Sequence, residues 1–112
     1  MSADGPKRKL ENEGFTIIEW GNYFTKDELG DIPYEPGVYI LYWGETMQYV
    51  GKSNNLQIRL SEWERRDYYK EYYIPFGSIA WFVLPENQIS DAEAILIDYY
   101  DPPYNQQYPS LD

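Results

Sequence analysis

The run "GVYILYWGETMQYVG", residues 37–51, constrains the fold more than any other stretch of the chain. The six residues after Gly37, Val38 to Trp43, are β-branched or aromatic apart from Leu41, the composition of a strand. Alternation sets Tyr39, Leu41 and Trp43 on one face against Val38, Ile40 and Tyr42 on the other. "GET" reads as a turn and "MQYVG" as the partner strand, so the segment is a hairpin. Beyond it, Ser53 or Asn54 can cap a helix whose Leu56, Leu60 and Trp63 fall at i, i+4 and i+7. "SIAWFVL" follows as a third strand.

"NQISDAEAILIDYYDPP" is a second helix. Ser90 and Glu93 fit a capping box, Ile95, Leu96 and Tyr99 supply an apolar face, and Pro102-Pro103 stop it. The order strand, strand, helix, strand, helix predicts an α/β fold: a small three-stranded antiparallel sheet flanked by helices. This domain is expected over residues 33–112, after an N-terminal tail and extension over residues 1–32. Residues 1–14 are polar and aperiodic and read as a mobile tail. "FTIIEW", residues 15–20, has strand composition and marks where the leader packs onto the domain.

At 112 residues the chain is one domain with a feasible single core. It has no cysteine, which excludes disulfides and thiolate metal sites. It also has no histidine, so the commonest general base and the commonest transition-metal ligand are both missing. Any catalysis must use carboxylate, lysine, tyrosine or a hard metal ion held by oxygen. No segment reads as a signal peptide or a membrane span, so an intracellular, cytoplasmic protein is expected. The formal charge of −10 argues against a nucleic-acid partner. Its distribution softens the argument. Residues 52–70 hold Lys52, Arg59, Arg65, Arg66 and Lys70 against Glu62, Glu64 and Asp67, whereas residues 71–112 hold no Lys or Arg at all.

Gly51-Lys52-Ser53 has the last letters of a nucleotide-binding phosphate loop. That loop needs a glycine five residues before Gly51, and the position holds Thr46. No parallel βαβ frame accompanies it. The nucleotide reading fails.

"GVY" and "YVG", on two adjacent strands with nine residues between them, resemble the paired motifs of the GIY-YIG nuclease family. "YVGKSNNLQIRL" is similar to that family's strand, turn and helix start, with a basic residue after the second glycine and an arginine eight residues beyond it. "AEAILIDYYDPPYNQ" resembles its acidic helix and closing proline and asparagine motif. The likeness covers about residues 36–107. It implies a metal-dependent endonuclease that hydrolyses phosphodiester bonds in DNA. Glu93 is then the ligand of one divalent cation, Mg²⁺ or Mn²⁺, hard ions suited to carboxylate oxygen. Arg59 is the phosphate clamp, its planar fork matching two phosphate oxygens. Tyr39 and Tyr49 stand beside the phosphate, and one of them, with Lys52, deprotonates or orients water. Asn105 holds either the site's backbone or the substrate. Apart from the resemblance, Arg65 and Arg66, mixed with the tyrosines of "ERRDYYKEYY", are candidate substrate contacts that could stack on unpaired bases. One departure stands out: where the family often carries histidine or tyrosine, four residues after the arginine, this chain has Trp63. Indole donates one hydrogen bond and accepts no proton; Tyr68 or Tyr69 could substitute.

Each residue has a plainer reading. Tyr39 and Tyr49 are two of thirteen tyrosines and could be sheet aromatics. Glu93 could serve only the capping box with Ser90, and Lys52 and Arg59 only a solvated surface. The second reading of the whole is a binding module that keeps the nuclease fold and uses its acidic surface to contact a protein partner. Homo-oligomerisation is open in either case.

Overall fold

The computed structural model describes residues 3–23, 30–65 and 74–108. Strands β2 (Gly37–Trp43) and β3 (Thr46–Ser53) form the expected hairpin, with Gly44 of the turn at a φ of 61°, a left-handed conformation that costs glycine little. A bulge between Leu41 and Tyr42 resets the register, so that Leu41 faces Tyr49 while Tyr42 faces Met47. Strand β4 (Ser78–Val83) pairs antiparallel with the other side of β2.

The sheet has four strands, not the three expected from the sequence. A strand from the leader, β1 (Glu19–Tyr23), pairs antiparallel with β4 and gives the order β1-β4-β2-β3. The apolar "FTIIEW" signal sits mostly ahead of this strand. "EWGNY" contains glycine and asparagine, poor strand formers, and cross-strand pairing overrides that weakness. Gly21 lies opposite Trp81, and a Cβ there would stand 2.7 Å from the Trp81 ring. The residue that weakens the strand signal is the one that admits the indole.

The tail reading is also corrected. Asp4–Asn12 form helix α1, in which Leu10 is wholly buried and Ala3 and Pro6 are buried on the approach to it. Three apolar residues at helical spacing carry the packing, too few to show through the charges in the sequence. Exposed i,i+4 pairs support the outer face, Lys7 with Glu11 at 2.9 Å and Lys9 with Glu13 at 3.5 Å.

Helix α2 (Leu56–Glu64) covers one face of the sheet and α3 (Ile89–Tyr100) the other, with α1 against α3. A short helix, α4 (Pro103–Gln107), follows α3 and packs on β3. Two cores result. Tyr39, Leu41 and Tyr49 join Leu56, Leu60 and Trp63 on the α2 side. Val38, Ile40 and Val50 join Ala92 and Leu96 on the α3 side. The central strand β2 is therefore buried on both faces, which its unbroken apolar run anticipated.

Local details differ from expectation at both helix starts. β3 runs on through Ser53, so the cap of α2 is Asn55 rather than Ser53 or Asn54; its side chain accepts from Ile58 N–H at 3.2 Å. Ser53 braces that cap, its hydroxyl bonding both Asn55 N–H and C=O at 2.9 Å. The capping box of Ser90 and Glu93 does not form, because a 3-10 turn at Glu86–Gln88 feeds straight into α3 and leaves both residues inside the helix. The buried stripe of α3 is Ile89, Ala92 and Leu96; Tyr99 is 62% exposed, with the Lys9 ammonium 4.4 Å from its ring centre. The helix ends as expected before the prolines, with Asp101 left-handed at φ 49°.

Candidate active site

Strand alternation sorts the candidate residues. Tyr39, Tyr49 and Gly51 share the α2 face of the hairpin, and Lys52, paired with Val38, turns to the α3 face. β3 is an edge strand, so both groups meet at its rim.

On the α3 side, the Lys52 ammonium donates to the Ser90 hydroxyl at 3.2 Å and lies 3.8 Å from a Glu93 carboxylate oxygen. Ser90 and Glu93 are three residues apart on one helix face, which is why a single lysine reaches both. Glu93 is largely buried and Lys52 about one third exposed. Arg59 approaches from α2. Its Nη1 donates to the Lys52 backbone carbonyl at 3.4 Å and its Nε lies 3.3 Å from Glu62. Lys52 and Arg59 open onto one cleft of about 300 Å³, completed by Ser53, Asn54, Glu86, Ile89 and Ser90. Two cations against one carboxylate line it, in a chain whose formal charge is −10.

On the α2 side, Tyr39 and Tyr49 are buried with ring centres 6.4 Å apart, and the Trp63 ring lies 5.9 Å from that of Tyr49. The Trp63 indole donates to the Tyr39 hydroxyl at 2.9 Å. That hydroxyl fills the space in front of Gly51, where a Cβ would stand 2.4 Å from it. Glycine is required there by close approach rather than by backbone angle.

Asn105 is 5% exposed and spends both ends of its amide on one residue: Val50 N–H donates to Oδ1, and Nδ2 donates to Val50 C=O, each at 2.8 Å. Of the two roles open in the sequence, backbone support is the one its geometry serves. It satisfies the outward peptide groups of an edge strand as another strand would. Arg65 is exposed at the end of α2. Arg66, Tyr68, Tyr69 and Lys70 lie outside the described residues.

Sequence reasoning missed the bonding roles of Ser90, Glu62 and Trp63. The Ser90–Glu93 spacing was visible but fits a cap and a shared lysine equally well. Among the described residues no three His, Cys, Asp or Glu side chains gather as a metal site, and no helix is long and apolar enough to cross a membrane.

No protein-family model and no curated protein sequence matches the chain. Solved structures do. The GIY-YIG N-terminal endonuclease domain of UvrC from Thermotoga maritima, bound to its catalytic divalent cation magnesium, is 27% identical with a TM-score of 0.56. The match covers 71% of this chain and 93% of that one. The chain has a GIY-YIG nuclease-like fold. A tyrosine-to-phenylalanine point mutant of the same UvrC domain matches at 26% identity and a TM-score of 0.58, over 71% of this chain and 93% of its own. An asparagine-to-alanine point mutant matches at 27% and 0.58, over 70% and 91%. This likeness supports a nuclease at the level of the GIY-YIG family.

Proposed function

We propose that the protein is a divalent-metal-dependent endonuclease that hydrolyses phosphodiester bonds in DNA at the rim of β3. The observation that carries the reading is the convergence of Lys52 and Arg59 on one cleft, with Glu93 reaching the same ammonium. Two cations gathered at one cleft of a chain of formal charge −10 are what an enzyme acting on phosphate needs and a purely acidic binding surface does not. Residues 33–112 form the nuclease-like unit and residues 1–32 its extension.

Glu93 fits a hard divalent cation in one respect, as a largely buried carboxylate oxygen donor; the Lys52 ammonium 3.8 Å away opposes a second cation there and would have to turn aside. Mg²⁺ keeps several waters and shares substrate phosphate oxygens, so one protein carboxylate suffices to hold it. When bound, it supplies charge neutralisation at the phosphate. The chain's own residues do the rest. Arg59 binds the phosphate, with its guanidinium already oriented by the Lys52 carbonyl and Glu62. Lys52 orients or deprotonates the attacking water from the α3 side. Tyr39 and Tyr49 act from the α2 side, where bare Gly51 leaves the Tyr39 hydroxyl against the strand. Asn105 keeps β3, and hence Tyr49 and Lys52, in place. Arg65, exposed at the end of α2, is a further substrate contact, and Arg66, outside the described residues, is proposed with it from the sequence alone.

The test is cleavage of plasmid and branched DNA with magnesium or manganese at low salt, by wild type, Glu93→Ala and Arg59→Ala. Metal-dependent cutting lost in both variants is the expected result. Cutting that survives in both refutes the site. If no protein cuts, the binding-module reading, favoured by the formal charge of −10, takes its place.

A further inference from the structure

We propose that Trp63 is a positioning residue for Tyr39, an inference that rests on the nuclease reading above. Its indole fixes the direction of the Tyr39 hydroxyl and closes the route for a proton into helix α2. The argument begins with chemistry that needs no hydrogen to be seen. Indole Nε1 carries a donor and no acceptor, so across the 2.9 Å contact Trp63 gives and Tyr39 receives. The proton of Tyr39 must then point elsewhere. On its other side the hydroxyl lies against Gly51, the residue before Lys52, where even a Cβ could not fit.

Packing alone does not account for the indole. Trp63 is 2% exposed and its ring meets Tyr49 at 5.9 Å and Phe76 in a T-shaped pair at 6.1 Å, aromatic contacts that do not themselves call for an N–H. What phenylalanine lacks is the N–H. A hydroxyl that accepts a hydrogen bond is polarised into a better donor, so Tyr39 is held ready to donate toward β3. A histidine or tyrosine at position 63 could also accept, and would let the Tyr39 proton turn back into α2. Trp63 is four residues beyond Arg59 on the same helix, so one element sets both the phosphate clamp and the tyrosine.

The test is a double-mutant cycle on single-turnover DNA cleavage with Trp63→Phe, Tyr39→Phe and the pair, together with Trp63→His. Trp63→Phe is expected to slow cleavage about five- to tenfold, the worth of one positioned hydrogen bond, with KM little changed. In the Tyr39→Phe background the same change should cost less than about twofold. Trp63→His keeps a donor but adds an acceptor that lets the Tyr39 proton turn back, so it should recover only part of the rate lost in Trp63→Phe. Additive losses in the cycle, or full recovery of the wild-type rate by Trp63→His, overturn the proposal while leaving the nuclease intact. A second readout is independent of activity: by NMR, Tyr39→Phe should shift the Trp63 indole N–H and strip its exchange protection. An indole signal indifferent to Tyr39 also overturns the proposal. Wild-type protein that cuts nothing overturns the nuclease reading, and this inference with it.

Discussion

Asn105→Ala is the sharpest test of how the edge strand is held. The asparagine amide makes two 2.8 Å bonds to Val50 in a site that is 5% exposed. Alanine removes both and leaves a buried N–H and a buried C=O without these partners, at about 1–3 kcal/mol each. Allowing water to reach one of them, the loss is about 3 kcal/mol. For a domain near this size, about 1 kcal/mol moves the melting temperature by roughly 4–8 °C, so a fall of about 12–24 °C is expected. Urea denaturation gives the free energy, and hydrogen exchange at the Val50 amide locates it. Asn105→Asp is an internal control. It keeps an acceptor for Val50 N–H, cannot donate to Val50 C=O, and brings a charge into a buried site, so it should lose at least as much as alanine. A loss below about 0.5 kcal/mol for alanine, or unchanged Val50 protection, would show that α4 is held by its tyrosines instead and that the amide is incidental.

Three further outcomes follow from single contacts. Gly51→Ala places a methyl 2.4 Å from the Tyr39 hydroxyl, so it should displace that ring and cost about 1–3 kcal/mol; an unchanged melt and near-UV CD spectrum would refute the contact. Lys52→Met removes the cation 3.8 Å from Glu93; discounted for the partial exposure of the lysine, that neighbour is worth about 1 kcal/mol against a second cation. Calorimetry should therefore find Mn²⁺ bound about fivefold more tightly, and weaker binding would instead make Lys52 part of the ion's site. Burial, with Tyr100 nearby, pushes the Tyr42 phenol well above its usual range. An acid raised in the folded state leaves stability intact below about pH 10, where both states keep the proton, and drains it above, where only the unfolded chain ionises. Unfolding in urea at pH 9 and 11 should show that fall, and Tyr42→Phe should lessen it.

How much of this was legible depends on where the information sat. The hairpin, α2 and the third strand of the reading were plain because their apolar patterns are local and strong, as in "GVYILYW". β1 and α1 were not, because each is stabilised from outside. Glu19–Tyr23 is a strand by virtue of β4, and Asp4–Asn12 buries little beyond Leu10. A long-range partner leaves no mark in a short window of sequence. The start of α3 failed differently, since Ser90 and Glu93 at a spacing of three satisfy two rules at once.

Lys52 resolves that ambiguity, and it does so across 38 residues of chain. The same contact reconciles the acidic composition with an anionic substrate. Net charge acts at the range of the whole molecule and is screened within about 10 Å at ordinary ionic strength. A phosphate at the rim of β3 instead responds to Lys52 and Arg59 at contact distance, against Glu86 and Glu93. Those charges balance; if Glu93 holds a divalent cation the local sign turns positive, while the acidic remainder of the surface resists indiscriminate duplex binding. Acidity on that view sets selectivity: raising salt should weaken repulsion and attraction together, leaving binding less salt-sensitive than for a basic nuclease.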